Sequence, residues 1–293
     1  MPSLSVLKTL FRELTTRERS VRVNEPDLVM DDPQKVAAFT RAGREDGVMA
    51  PVYLFHCAQI CEIIRPGDQV VDLGCGPATQ LAMVARLNPE SRFIGVDLSA
   101  DMLDKAQDLI SDQALSNIEL RRENITDLAS FSDESVDVVI STVALHHLPD
   151  EEALDRVFSE VSRILKQEGG LYIVDFGHLK SEKSISSFAY QYADRQPELF
   201  TLDYLYSLRA AFSLKDFQYL AEKYFIAHAE VYSTFLAPFM MAVKSQRAGA
   251  MPDPAIITQL QEIRDGLPLH HKKDLSDLVT FFRMGGLRSP MLG

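Results

Sequence analysis

The sequence predicts an α/β fold in three layers, with helices on both faces of a mostly parallel sheet. Three observations predict it. Short apolar runs at 70–73, 92–96, 136–141 and 171–176 alternate with helical patterns, as strand–helix–strand units do. The fourth-strand run VDVVIS at 136–141 is largely apolar rather than alternating, as expected of a parallel strand covered on both faces. At 70–80, VVDLGCGPATQ passes from a buried strand through two glycines into a helix, the mouth of a crossover.

In chain order, residues 4–20 set Leu4, Leu7, Leu10, Phe11 and Leu14 among charges, an amphipathic helix expected to dock on the rest of the chain. NEPDLV, from 24, reads as a turn, and Asp31 or Asp32 is placed to cap a helix with Pro33 in its first turn. From Pro51 a mostly buried helix carries Val52, Leu54, Phe55, Ala58, Ile60, Ile63 and Ile64, and Arg65-Pro66-Gly67-Asp68 turns into the first strand. The second strand ends at Asp97, after which Ser99 caps a helix whose Met102 and Leu103 open its apolar face. Residues 118–124 form the third strand. Asp150 caps a helix with Leu154, Val157, Phe158, Val161, Ile164 and Leu165 at helical spacing, expected to run until Gly169-Gly170 stop it. After the fifth strand, 179–212 is helical and rich in Phe and Tyr, and Ser213 opens another helix. Strands at about 225–233 and 236–244 form a terminal hairpin. The tail has helices at 254–265 and 271–284, too apolar for a solvated extension and expected to dock on the N-terminal helix or a second subunit.

Gly74 and Gly76 suit a turn that needs positive φ and no Cβ between ligand and backbone. A dinucleotide fingerprint wants a third glycine where Thr79 stands, and Asp72 would repel a diphosphate in the same mouth. A cationic ligand suits this cleft better. Asp97, about twenty residues past the glycines, is placed to accept both hydroxyls of a ribose.

The hydrophobic-Asp-x-Gly-x-Gly strand end followed by Asp97 resembles the class I S-adenosylmethionine (SAM)-dependent methyltransferases, over about two-thirds of the chain, from Pro51 to Lys244. The resemblance implies a Rossmann-like sheet of about seven strands, one antiparallel, with SAM as cofactor. It divides the chain into a helical lid at 1–50, a SAM-binding domain at 51–244 with a substrate cap at 179–212, and a helical extension at 245–293. It assigns the cofactor to Asp72, Gly74, Cys75, Gly76, Asp97, Leu98, Met102, Asn124, Ile125 and Ser141. Most members carry Asp where Asn124 stands, but an amide can still accept from the adenine amino group. Tyr53 would lie against SAM or substrate, and Arg41 or Arg44 would meet the methionine carboxylate.

If the acceptor is a hydroxyl or an ammonium, a base must take its proton, and His146, His147, His178 and Asp175 stand where strands four and five end. His146 is the expected base, with His147 bonding backbone and His178 contacting substrate. The Asn/Asp-Pro-Pro-aromatic loop of base N-methylation and the Pro-Cys of cytosine C5 chemistry are absent from STVALHH, and the chain resembles the broad small-molecule group that includes quinone-biosynthesis methyltransferases. Rival readings are a peptide or RNA methyltransferase, a non-catalytic partner subunit of the same fold, or an NAD-dependent oxidoreductase.

The net charge of −12 gives no global attraction to a phosphate backbone, which disfavours nucleic acid. Cys57, Cys61 and Cys75 are too few for a disulfide framework, and Cys57 and Cys61 read as buried small side chains rather than metal ligands; no metal is expected. The N-terminus lacks a continuous apolar core, and APFMMAV is too short to span a bilayer, so a cytoplasmic setting is expected. His270 and His271 read as a solvated helix start.

Overall fold

A computed structural model describes residues 4–17, 20–27, 29–43, 47–247 and 253–292. These form eleven α-helices and one seven-stranded sheet. The strands are β1 Gln69–Leu73, β2 Arg92–Asp97, β3 Ile118–Arg122, β4 Val136–Thr142, β5 Leu165–Phe176, β6 Ala229–Ser233 and β7 Met240–Ser245. They lie in the order β3-β2-β1-β4-β5-β7-β6, with β7 antiparallel to both its neighbours and every other pairing parallel. The predicted three-layer fold is therefore what the chain adopts.

The helices are α1 Leu4–Thr15, α2 Pro33–Ala42, α3 Ala50–Cys61, α4 Thr79–Leu87, α5 Ala100–Asp112, α6 Glu151–Ile164, α7 Glu182–Ala189, α8 Glu198–Ala210, α9 Leu214–Phe225, α10 Pro254–Gly266 and α11 Leu269–Met284. Local chemistry starts them as expected. Asp32, Ser99, Asp150 and Ser213 each accept a hydrogen bond from a first-turn amide.

Because the pleat alternates, each strand feeds two cores. Val70, Phe93, Ile140 and Tyr172 pack on the α3 face with Leu54, Phe55 and Leu81. Val71, Ile94, Val139 and Ile173 pack on the opposite face with Phe158 and Phe217. The tail closes the first of these: α11 packs along α3, and Phe282 stacks on Phe55 with ring centroids 4.9 Å apart. Helix α1 packs on α7.

Three boundaries differ from the expected ones. Helix α6 ends at Ile164, not at Gly169, because the amides of Glu134 and Ser135 take the carbonyls of Arg163 and Ile164 and draw Leu165 into β5 beside Val136. The hairpin strands are shorter than predicted, since α9 continues through Phe225. His271 is 3% exposed rather than solvated, as α11 begins at Leu269 and turns it inward, whereas His270 is exposed.

Candidate functional site

Strand order reverses between β1 and β4, and the ligand crevice of such a sheet opens at the strands' carboxyl ends there. The glycine turn after β1 forms one lip. Gly74 and Gly76 adopt φ of +71° and +52°, and a Cβ on Gly74 would stand 2.4 Å from the Ala144 Cβ of the loop after β4. The amides of Gly74 and Cys75 both donate to the Val96 carbonyl, which ties the turn to β2. The opposing loop holds Val143 at φ +55°, a costly conformation for a β-branched residue at the cleft itself.

Two acids stand at the tips of β1 and β2. The Asp97 carboxylate accepts from the Gly76 amide at 2.8 Å and the Ser99 amide at 2.9 Å, so it is fixed in orientation with lone pairs to spare toward the cavity. Burial raises its pKa, and those amides oppose the rise. Asp72 shares the α3 face of β1 with Val70, is 2% exposed, and has no hydrogen bond or ion pair with the described residues. Burial, followed by the charge of Asp97, pushes it up to about 7. Without a cation beside it, such a buried carboxylate favours its neutral form, and an arriving cation would favour the charged one. Asp97, Leu98, Met102, Asn124 and Ile125 line the cavity, Met102 buried and Leu98 exposed at its lip, whereas Asp72 lies behind the glycine turn and outside the lining. Asn124 Oδ1 accepts from both the Thr126 amide and hydroxyl, so it is not free to accept from an adenine amino group as expected.

Several predicted residues stand elsewhere. Ser141 lies on the opposite face of β4 from Ile140, and its hydroxyl donates to the Leu73 carbonyl at 2.8 Å, inside the sheet rather than in the cleft. Cys75 contributes only backbone to the turn: its thiol is buried where a Cβ on Gly95 would meet it at 2.9 Å. Tyr53 does not line the cavity; it is buried beside Asp72 under Gly43, and its carbonyl accepts from Gln80. Burial and the neighbouring Asp72 hold its phenol protonated. His178 is turned away from the cavity, with Nε2 2.8 Å from the Ser20 carbonyl and 3.0 Å from its hydroxyl. Arg41 is exposed, and Arg44 lies outside the described residues.

Beyond the acids, His146 and Asp175, predicted as separate candidates, form one unit. His146 follows β4 on a single 3-10 turn, Leu145–His147, and its Nδ1 lies 2.8 Å from Asp175 Oδ1 while its amide donates to Oδ2 at 3.0 Å. Burial lowers the His146 pKa, but Asp175 outweighs this and the net shift is upward. Its Nε2 looks toward Glu25, 3.9 Å away. His147 also lines the cavity but its Nδ1 is buried without a partner, and burial together with His146 lowers its pKa well below the ordinary value. It therefore does not bond backbone as expected.

Glu25 and Asp203 were not anticipated. Residues 20–25 form a strap rather than a simple turn: Val23 donates to the Arg209 carbonyl, and Arg22 reaches the carbonyls of His146, Leu148, Pro149 and Ala210 while its guanidinium covers the Phe212 ring. The strap delivers Glu25, 6% exposed, to accept from Ser207 at 2.8 Å. Burial pushes Glu25 up to about 7, against the pull of His146 and Ser207. The only sequence signal was Glu25 itself, an acid beside Pro26.

The far wall is aromatic. Phe176 and Tyr204 meet with ring centroids 5.2 Å apart, Phe188 stacks on Phe239 at 4.7 Å, and Phe39 meets Phe200 at 6.0 Å. All six line the cavity, so aromatics of the 179–212 insert roof it as well as pack the insert. The tail contributes Leu278 and Phe281 to the same wall.

Residues 64–213 match a family described as "Methyltransferase domain". An arsenite methyltransferase of Halobacterium salinarum is 34% identical over 113 residues, 38% of this chain and 28% of that protein. A demethylmenaquinone methyltransferase of Listeria monocytogenes is 33% identical over 113 residues, 38% of this chain and 46% of that protein. The chain thus spans less than half the length of these curated relatives. The plantazolicin methyltransferase BpumL, solved with S-adenosylhomocysteine (SAH) and a monoazolic desmethyl analogue, shares the fold with a TM-score of 0.55 at 17% identity, over 81% of this chain and 87% of that one.

Proposed function

The chain belongs to the methyltransferase-domain family, of the class I SAM-dependent type, and from that premise we propose that it transfers a methyl group from SAM to a small-molecule acceptor. SAM supplies a methyl already activated on a sulfonium, so that displacement by an acceptor nucleophile leaves SAH. The residues of the chain then have to position, exclude water and move a proton. From the cavity lining we assign Asp97 to the ribose hydroxyls and Leu98, Met102 and Ile125 to the faces of the base, with Asp72, buried behind the glycine turn and outside that lining, drawing the cationic amino-acid end toward it. His146, held by Asp175, is the base at the acceptor end; Asp175 fixes its ring and stabilises the imidazolium after proton uptake.

The observation that carries this reading is Asp97 lining the cavity beside the glycine turn, with Asp72 buried behind it and without a hydrogen bond or ion pair among the described residues. A pyrophosphate there would meet the Asp97 carboxylate, with Asp72 close behind the turn, and no lysine or arginine from the described lining. Thermal shift tests it. A ligand that binds only the native state raises the melting temperature with its concentration; SAH should do so and NAD should not. A rise with NAD and none with SAH overturns the reading.

The N-terminal segment and the 245–293 tail serve as lid and wall to a 51–244 catalytic unit. Cys57, Cys61 and Cys75 are free thiols, in keeping with the reducing cytoplasm as the setting. No helix of the described residues is long and apolar enough to cross a membrane. Leu7, Phe11 and Leu14 leave an apolar face exposed on α1, which suits a homodimer through the terminal helices.

A further inference from the structure

The acceptor end of the cavity has an unusual charge pattern for a site with aromatic walls. Among the described residues no lysine or arginine lines it, whereas Asp203 does, and its carboxylate has no hydrogen bond or ion pair with the described residues. Glu25 stands behind it in a side recess shared with Asp203 and His147. The nearest ammonium in that recess, Lys35, is paired with Asp27 at 2.5 Å. His146 Nε2 faces Glu25 at 3.9 Å. Phe176, Phe200 and Tyr204 line the adjoining wall.

An anionic acceptor would enter this compartment against the Asp203 and Glu25 carboxylates, and a wholly apolar one would leave the half-buried Asp203 carboxylate without a hydrogen-bonding partner. A cation satisfies both, since ammonium groups are attracted by carboxylates and by aromatic faces alike. The net charge of −12 also favours encounter with a cation.

Resting on the methyltransferase reading, we infer that the acceptor is an amine with an aromatic or similarly apolar body, its ammonium against Asp203 and Glu25 and its body among Phe176, Phe200 and Tyr204. A divalent metal is the competing occupant, because Glu25, His146 and His147 each bring one ligand atom within 4.8 Å of the others. Ligand bonds of about 2.1 Å hold donors no more than about 4.2 Å apart. His146 Nε2 and Glu25, 3.9 Å apart, meet that limit, but a metal held by this trio would leave Asp203 and the aromatic wall unengaged, whereas an organic cation engages both. Burial raises the pKa of Asp203, with His146 and Lys35 opposing, as expected of a carboxylate whose partner arrives with the ligand.

The test uses the full chain saturated with SAH, titrated with three matched probes: 2-phenylethylamine, 2-phenylethanol and 3-phenylpropionate. SAH binding is measured first, and its absence overturns the methyltransferase reading itself before any amine is added. With SAH bound, the amine should bind at least tenfold more tightly than the alcohol, with the carboxylate weakest. Asp203→Asn and Glu25→Gln should each erase most of that preference while SAH affinity stays within about twofold. An alcohol or carboxylate that equals the amine overturns the proposal. So does stoichiometric Zn2+ uptake that is lost in Glu25→Gln and His147→Ala and that blocks the amine.

Discussion

Replacing Asp72 with asparagine should stabilise the ligand-free protein and weaken its hold on SAH, two effects of opposite sign from one charge. Burial and Asp97 carry the Asp72 pKa from 3.8 to about 7 in the fold. Between those values the native state holds a proton that the unfolded state has released, so stability falls as pH rises from about 4 to about 7. The shift of about three units corresponds to about 4 kcal/mol lost by pH 8. Asparagine removes that penalty but leaves an amide unpaired, at about 1–3 kcal/mol. The net gain at pH 8 is about 1–3 kcal/mol, or a melting temperature raised by roughly 2–8 °C. The gain should shrink as pH falls and be gone near pH 4. SAH affinity should drop about 10- to 150-fold, the worth of a charge-assisted hydrogen bond of about 1.5–3 kcal/mol. Differential scanning fluorimetry across pH and isothermal titration calorimetry read the two halves. Unchanged SAH affinity, together with a lower melting temperature at pH 8, would refute the reasoning.

Asp97→Ala should weaken SAM binding by about 1.5–3 kcal/mol for each ribose hydrogen bond lost, read by calorimetry. Gly74→Ala should abolish cofactor binding through the clash with Ala144 and the strained φ, while circular dichroism still shows a folded α/β chain. Asp175→Asn should lower kcat at least tenfold with little change in SAH affinity, because it frees the His146 ring without touching the cofactor end. Phe282→Ala removes a fully buried ring stacked on Phe55 and should cost about 3–5 kcal/mol in urea unfolding.

How much of this was legible in the sequence follows from how local each signal was. The glycine turn, the acids closing β1 and β2 and the helix caps are set by neighbours within a few residues, and they appear where expected. Side-chain direction at a strand end is not local in that sense. Ser141 falls beside the cleft in sequence, but the pleat turns it into the sheet toward the Leu73 carbonyl. His178 likewise sits just past β5, yet Ser20, 158 positions away, claims its ring. His146 and Asp175 were each visible, but their pairing needed β4 beside β5. Glu25 was least legible, because its role depends on a strap laid between the loop after β4 and α8, and nothing in NEPDLV announces that path.

A crystal structure of the chain with SAH tests the central claim most directly. The account predicts the ribose hydroxyls on Asp97, the amino group at Asp72, and the sulfur facing the cavity that holds His146. SAH bound elsewhere, or this groove closed by the chain's own side chains, would contradict it.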